Sequence, residues 1–232
     1  MDQRFLDEVI SRRPELFKAM ANFNLAQQKE PALCPALSSL GVMGHALQSD
    51  SVILRELEKQ SPSHTISEGW WDFSEESCRL LLLDDSTVTR VALFFSSAVY
   101  AEELARVIDR KQVLELRDLL GEEIFHYALR RGRYQIGSLR NFLVQHTPEG
   151  TLAERIKALA GIILLRMADG WPAPLRTMWE ARLQRSALFS PVCSATEDSL
   201  FPLPQEQRRA LWFTLKKLLL REAAPQWAPC FD

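Results

Sequence analysis

Several things are scarce in this chain, and each scarcity removes a class of function. Glycine occurs nine times in 232 residues. There is no G-x-G-x-x-G, no G-x-S-x-G and no phosphate loop. Gly41 and Gly44 precede His45, but G-V-M-G-H lacks both the length and the lysine such a loop needs. Few glycines and no such motif argue against nucleotide-handling loops. The four cysteines, Cys34, Cys78, Cys193 and Cys230, are widely scattered and form no C-x-x-C pair. A disulfide framework is therefore not expected, and reduced structural thiols are the simpler reading. Charge of one sign is also lacking. The net charge is −2 and the pI is about 6.1, whereas nucleic-acid binders usually carry a strong basic excess to neutralise phosphates. Long apolar runs are absent. Runs such as Leu80 to Leu83 and Ala158 to Leu165 fall far short of the roughly 20 residues a bilayer-spanning helix requires. The N-terminus MDQRFLDEVISRRPELF is charged and amphipathic, without the basic start and apolar core of a signal peptide. An intracellular protein is expected.

What is present is helical periodicity. Apolar residues make up 47% and charged residues 25%, the balance of an ordinary globular chain, and the length suits one large domain or two small ones. From Val88 to Arg110 the residues Val91, Phe94, Phe95, Ala98, Ala101, Leu104, Ala105 and Ile108 recur at steps of three and four. That spacing predicts one helix with one buried face, capped by Asp85 or Ser86. Gln112 to Arg131 repeats the pattern with Val113, Leu116, Leu120, Ile124 and Tyr127, and the short link between the two allows only a tight bend or a kink, which points to an antiparallel hairpin. Thr151 and Glu154 form the T-x-x-E of a capping box, opening a third helix that Gly170 and Pro172 end. Pro174 can open a fourth at its first position, and Pro204 a last one, carrying Leu211, Leu215, Leu218 and Leu219 and closed by Pro225.

The first part of the chain is less regular. Phe5 to Ile10 reads as a short helix, and Pro14 opens another. Residues 31–35 are a break, 51–60 a short helix, and 60–72 a loop ending in Trp70-Trp71. Residues 186–203 form a second irregular connection. Arg79 to Leu83 reads as a short buried strand or a helical turn, which periodicity does not decide. The expected fold is mainly α: a single compact multi-helix domain with irregular connections and at most a short strand near residues 79–83. There is room for an N-terminal lobe, 1–72, packed on a helical core, 73–232.

No catalytic residue, cofactor site or metal site is assigned. Glu123 and His126 have the Glu-x-x-His spacing of carboxylate-bridged di-iron bundles, but such a site needs a second copy of the motif, and the sequence has none. A helix-surface charge pair is the plainer reading. His45, His64, His126 and His146 lack a zinc-site partner at helical spacing. Arg130, Arg131, Arg133 and Arg140, with Tyr134 among them, form the one basic cluster. It reads as a cationic helix end favoured by the helix dipole, as a protein contact, or as a nucleic-acid contact. Trp70 and Trp71, being adjacent, cannot share one face of a regular element. They either cover the core or offer one ring to a partner.

The stretch TVTRVALFFSSAVYAEELARVIDRKQVLELRDLLGEEIFHYALRRGRYQIG resembles the central region of the SctK (YscK-type) proteins of bacterial type III secretion systems. The family pattern there is an apolar helix, a leucine-rich helix, then a hydrophilic turn with an I-G pair, here Ile136-Gly137. LAERIKALAGIILLRMADGWPAPLRTMWEARL and the tail LKKLLLREAAPQWAPCFD are also similar to the family. The resemblance implies a non-enzymatic, cytoplasmic accessory subunit of the sorting platform. Such a subunit links the cytoplasmic domain of the inner-membrane ring protein (SctD type) to the pod protein (SctQ type), with the stator (SctL type) and its ATPase beyond. The alternative is a nucleic-acid-binding regulator using the Arg130 to Arg140 cluster.

Overall fold

The computed structural model describes residues 3–29, 69–137, 139–189 and 203–231. The segments read above as a break at 31–35, a helix at 51–60 and most of the loop at 60–72 lie outside the described residues, as does most of the 186–203 connection. The fold is mainly α, and no strand occurs among the described residues. The chain divides into two compact units, Met1–Asp72 and Phe73–Asp232.

In the first unit, α1 (Gln3–Arg12) and α2 (Pro14–Lys29) follow one another with only Arg13 between them. Pro14 opens α2 because a missing amide costs nothing in the first helical turn. Val9, Leu16 and Met20 are buried.

The second unit begins with a 3₁₀ turn, Glu76–Leu82, which settles the strand-or-turn question at 79–83 in favour of a turn. Arg79 within it is 4% exposed, its Nε donating to Phe73 O at 3.1 Å and its Nη1 to Cys230 O at 2.8 Å. The two ends of the unit are thus tied to one buried guanidinium.

Helix α3 (Asp85–Val99) follows. Every residue from Val91 to Val99 is buried, so its C-terminal part is enclosed on all sides. Its N-cap is Asp84, one residue before the expected Asp85 or Ser86. Thr87 N donates to Asp84 Oδ1 at 2.8 Å, and the Ser86 hydroxyl donates to the same oxygen. The single helix expected over 88–110 is not continuous. It ends at Val99, resumes for one turn as α4 (Ala101–Leu104), and stops before Asp109 caps α5 (Arg110–Arg130). The connection is therefore a stretch of about ten residues instead of a tight bend, and Ile108, expected in the buried stripe, is 94% exposed. The competing signal is D-R-K-Q: Asp109 accepts from Gln112 N at 3.1 Å, so a fresh helix start wins over continued periodicity. Helix α5 kinks at Gly121 (φ 72, ψ 160), a conformation that favours glycine.

A 3₁₀ turn at Gly132–Tyr134 crosses α3, with Gly132 tucked against Ala98. Then come α6 (Leu139–His146), which the periodicity missed, and α7 (Leu152–Met167), opened by the expected Thr151–Glu154 capping box. Helix α8 (Ala173–Arg185) starts one residue before Pro174, with Pro172 as its cap. Helix α9 (Gln205–Leu218) is preceded by Pro204 and rewinds into a π turn at Leu219–Ala223 before Pro225. A last turn, α10 (Ala228–Phe231), buries Cys230 and Phe231. Helices α5, α6, α7 and α9, the 132–134 turn and the π turn all pack on α3.

Two predictions follow from these contacts. A Cβ on Gly132 would stand 3.0 Å from Ala98 Cα, so Gly132→Ala should lower unfolding free energy by about 1–3 kcal/mol in chemical denaturation. Burial pushes the Asp84 carboxyl up, but hydrogen bonds from Ser86 and Thr87 together outweigh it and hold the pKa at about 2, below the ordinary 3.8. The stability it supplies is then complete above about pH 3.8 and lost as the pH falls through 2. Thermal melts should show the gap between wild type and Asp84→Asn closing over that window.

Candidate partner-binding surfaces

Trp70 and Trp71 are half-buried and make their contacts within the first unit. Asn24, buried on α2, grips the backbone of Trp70 twice: Trp70 N donates to Asn24 Oδ1 at 2.7 Å, and Asn24 Nδ2 donates to Trp70 O at 2.9 Å. The Trp70 indole donates to Asp72 O at 2.6 Å, and the Trp71 ring stacks on Phe17 at 5.8 Å. Gly69 takes φ 78 to let the chain approach Asn24 closely. Of the two readings of this pair, covering the core is the one the geometry favours.

The Arg130 to Arg140 segment divides. Arg140 is half-buried. Its Nε donates to Val99 O at 2.8 Å, satisfying a carbonyl at the end of α3, and its Nη1 lies 3.2 Å from Glu102. Arg131 pairs with Glu222 at 3.5 Å across to the π turn. Beneath that pair, burial first and the Glu222 charge second push the Tyr127 phenol above its ordinary range, while Arg131 works the other way. Arg130 and Arg133 point outward. The Arg133 guanidinium lies over the ring of Tyr134, 4.5 Å from its centroid, and Tyr134 is 69% exposed.

Glu123 does not face His126. It takes a two-oxygen contact from Arg90 at 2.7 Å, while His126 Nε2 sits 3.1 Å from Glu122, which also pairs with Arg117 at 3.3 Å. These are exposed ion pairs, each worth about 1 kcal/mol or less. Among the described residues no group of three His, Cys, Asp or Glu side chains converges as a metal site; His45, His64, Cys34 and Cys193 lie outside them.

Two surfaces went unnoticed in the sequence. The first is the start of α5 and the connection before it. There Ile108 and Leu114, the latter half-exposed, stand among exposed Arg106, Arg110 and Lys111. The D-R-K-Q helix start was the available signal. The second is the outer side of α9. Phe213 is 71% exposed, off the buried Leu211, Leu215 and Leu218 stripe. An apolar residue out of phase with its helix was the signal there.

Beside α9 lies a groove with about 190 Å³ of room, between the 3₁₀ turn at 76–82, the Gly170-Trp171 corner and the first turns of α9. Its walls carry Trp171, Trp212, Arg208 and Arg209, with Glu75 and Ser77 at one side. Trp171 donates to Ser77 Oγ at 2.8 Å, and Ser77 donates on to Glu75 at 3.0 Å. Glu76 is neutralised by Lys216 at 2.6 Å and accepts from the Trp212 indole at 3.2 Å. Gly170 leaves the space that the Arg208 guanidinium fills, since a Cβ there would meet Nη1 at 3.2 Å. No helix among the described residues is long and apolar enough to cross a membrane.

Asn24→Ala should leave the Trp70 backbone without both partners and cost the first unit about 1–3 kcal/mol. Tryptophan emission should shift to the red before the second unit's far-ultraviolet dichroism changes.

No family model, no curated protein and no solved structure matches this chain.

Proposed function

We propose that this protein is a non-enzymatic adaptor subunit of a bacterial type III secretion sorting platform. It acts in the cytoplasm and is held peripherally at the inner membrane through its partners. It joins the cytoplasmic domain of the ring protein to the pod protein, with the stator and ATPase beyond. The family resemblance in residues 87–137, 152–183 and 215–232 supports the reading. Asn24 engages the Trp70 backbone and Val99 O engages Arg140, and the other outward surfaces of the second unit are the places this reading assigns to contact.

The observation that carries it is Ile108. A large aliphatic side chain 94% exposed, close in sequence to Leu114 and to exposed Arg106, Asp109, Arg110 and Lys111, combines an apolar group with charged neighbours along the chain. Non-obligate protein interfaces are built that way. The nucleic-acid reading retains the outward Arg133–Tyr134 stack. Two of its four arginines, however, are committed to Glu222 and Glu102.

The full chain should co-elute in size-exclusion chromatography with the ring protein's cytoplasmic domain and, separately, with the pod protein. Ile108→Asp should weaken one of the two complexes by about tenfold or more without moving the melting temperature. Co-elution with neither partner, together with salt-sensitive binding to duplex DNA, would replace the adaptor by the nucleic-acid reading.

A further inference from the structure

We propose that the outward face of α9, with the groove beside it, is a docking site for an acidic amphipathic segment of a partner protein. The inference does not depend on the secretion-system reading.

The argument begins with helix phase. Leu211, Leu215 and Leu218 bury one side of α9. Arg209, Phe213 and Lys217 recur at steps of four and so stand in one row on another side. In the middle of that row Phe213 is 71% exposed. Arg209, at the head of the row, also lines the groove, so the row and the groove form one surface.

Charge decides the partner's sign. Several arginines elsewhere in this unit are matched to carboxylates: Arg90 to Glu123, Arg155 to Glu103, Arg176 to Glu180, Arg182 to Asp85. Arg208, Arg209 and Lys217 have no ion pair among the described residues. Among the described residues, the carboxylates in the groove lining, in the first turn of α9 or next to them in sequence include Glu75, which already accepts from Ser77, Glu206, and Asp169, which pairs with Arg166. Glu76 is neutralised by Lys216. Three cations without an ion pair among the described residues favour a ligand that brings negative charge.

Apolar shape decides the partner's class. A bare phosphate or a nucleic-acid backbone would use the cations and leave Phe213 in water. The groove is walled by the Trp171 and Trp212 rings and holds about 190 Å³, room for an apolar side chain with Arg208 and Arg209 at its rim. A peptide helix or turn that carries one aromatic or aliphatic anchor among glutamates and aspartates meets both requirements. The anchor enters between the tryptophans, the acids reach the arginines and Lys217, and a second apolar residue covers Phe213.

The probe is a fluorescein-labelled synthetic amphipathic peptide with leucine and phenylalanine on one face and glutamate on the other, titrated with the full chain by fluorescence anisotropy. Saturable binding is expected, and it should weaken by about tenfold or more in Arg209→Glu/Lys217→Glu and severalfold in Phe213→Ala. It should be unchanged in Ile108→Asp, and the same peptide with lysine in place of glutamate should not bind. The three altered side chains are at the surface, so the melting temperature should hold in each variant. Absence of saturable binding would overturn the proposal, as would equal affinity in the charge-reversed variant. So would association of the wild type with phosphatidylglycerol vesicles that Phe213→Ala abolishes, which would assign the face to a membrane. Self-association in sedimentation, lost in Phe213→Ala, would assign it to a second copy of this chain and would equally overturn it. Failure to bind ring and pod proteins would leave this result standing, so the two readings fail separately.

Discussion

Burying a helix on all sides is the constraint from which the second unit's architecture follows. From Val91 to Val99 no residue of α3 reaches solvent, so every neighbouring element must present an apolar face to it. The mixture of sizes along α3 makes that packing possible. Phe94 and Phe95 supply volume, while Ala92, Ser96, Ser97 and Ala98 let other backbones come close. The Gly132 turn uses that allowance most fully, resting on Ala98 with no room for a side chain. The two serines do not spoil the core, because their hydroxyls donate back to Leu93 and Phe94 carbonyls in the same helix.

Arginines then close the ends that apolar packing leaves open. Arg79 collects the Phe73 and Cys230 carbonyls, and Arg140 collects Val99 O. Arg182 takes Leu81 O and Leu83 O together with the Asp85 carboxylate. Each guanidinium donates to backbone carbonyls, those of Val99, Leu81 and Leu83 lying at the ends of helical turns. A lysine at these positions would carry the charge without the planar fork. Part of the chain's basic character is therefore internal wiring, as at Arg79, Arg140 and Arg182. Other basic residues, among them Arg106, Arg110 and Lys111 close in sequence to Ile108 and Arg209 and Lys217 one turn either side of Phe213, accompany exposed apolar side chains. Two such surfaces on separate elements suit a body that works by positioning other proteins.

Local chemistry alone determined much here. The mainly α fold followed from spacing, as did the Pro14 start of α2, the Thr151–Glu154 box opening α7 and the Gly170-Pro172 stop, because capping and proline effects act over a few residues and owe little to the rest of the fold. Tertiary structure decided the rest. Val88 to Ile108 is periodic enough for one helix, yet a restart at Asp109 turned Ile108 outward. Helix α6 was invisible because its apolar stripe is only eight residues long. Whether Trp70 and Arg140 are contacts or anchors depended on Asn24 and Val99 O, which lie 46 and 41 residues away along the chain. Periodicity reports which side of a helix is greasy, but only the packed partners determine whether that side, or a charge beside it, ends up covered.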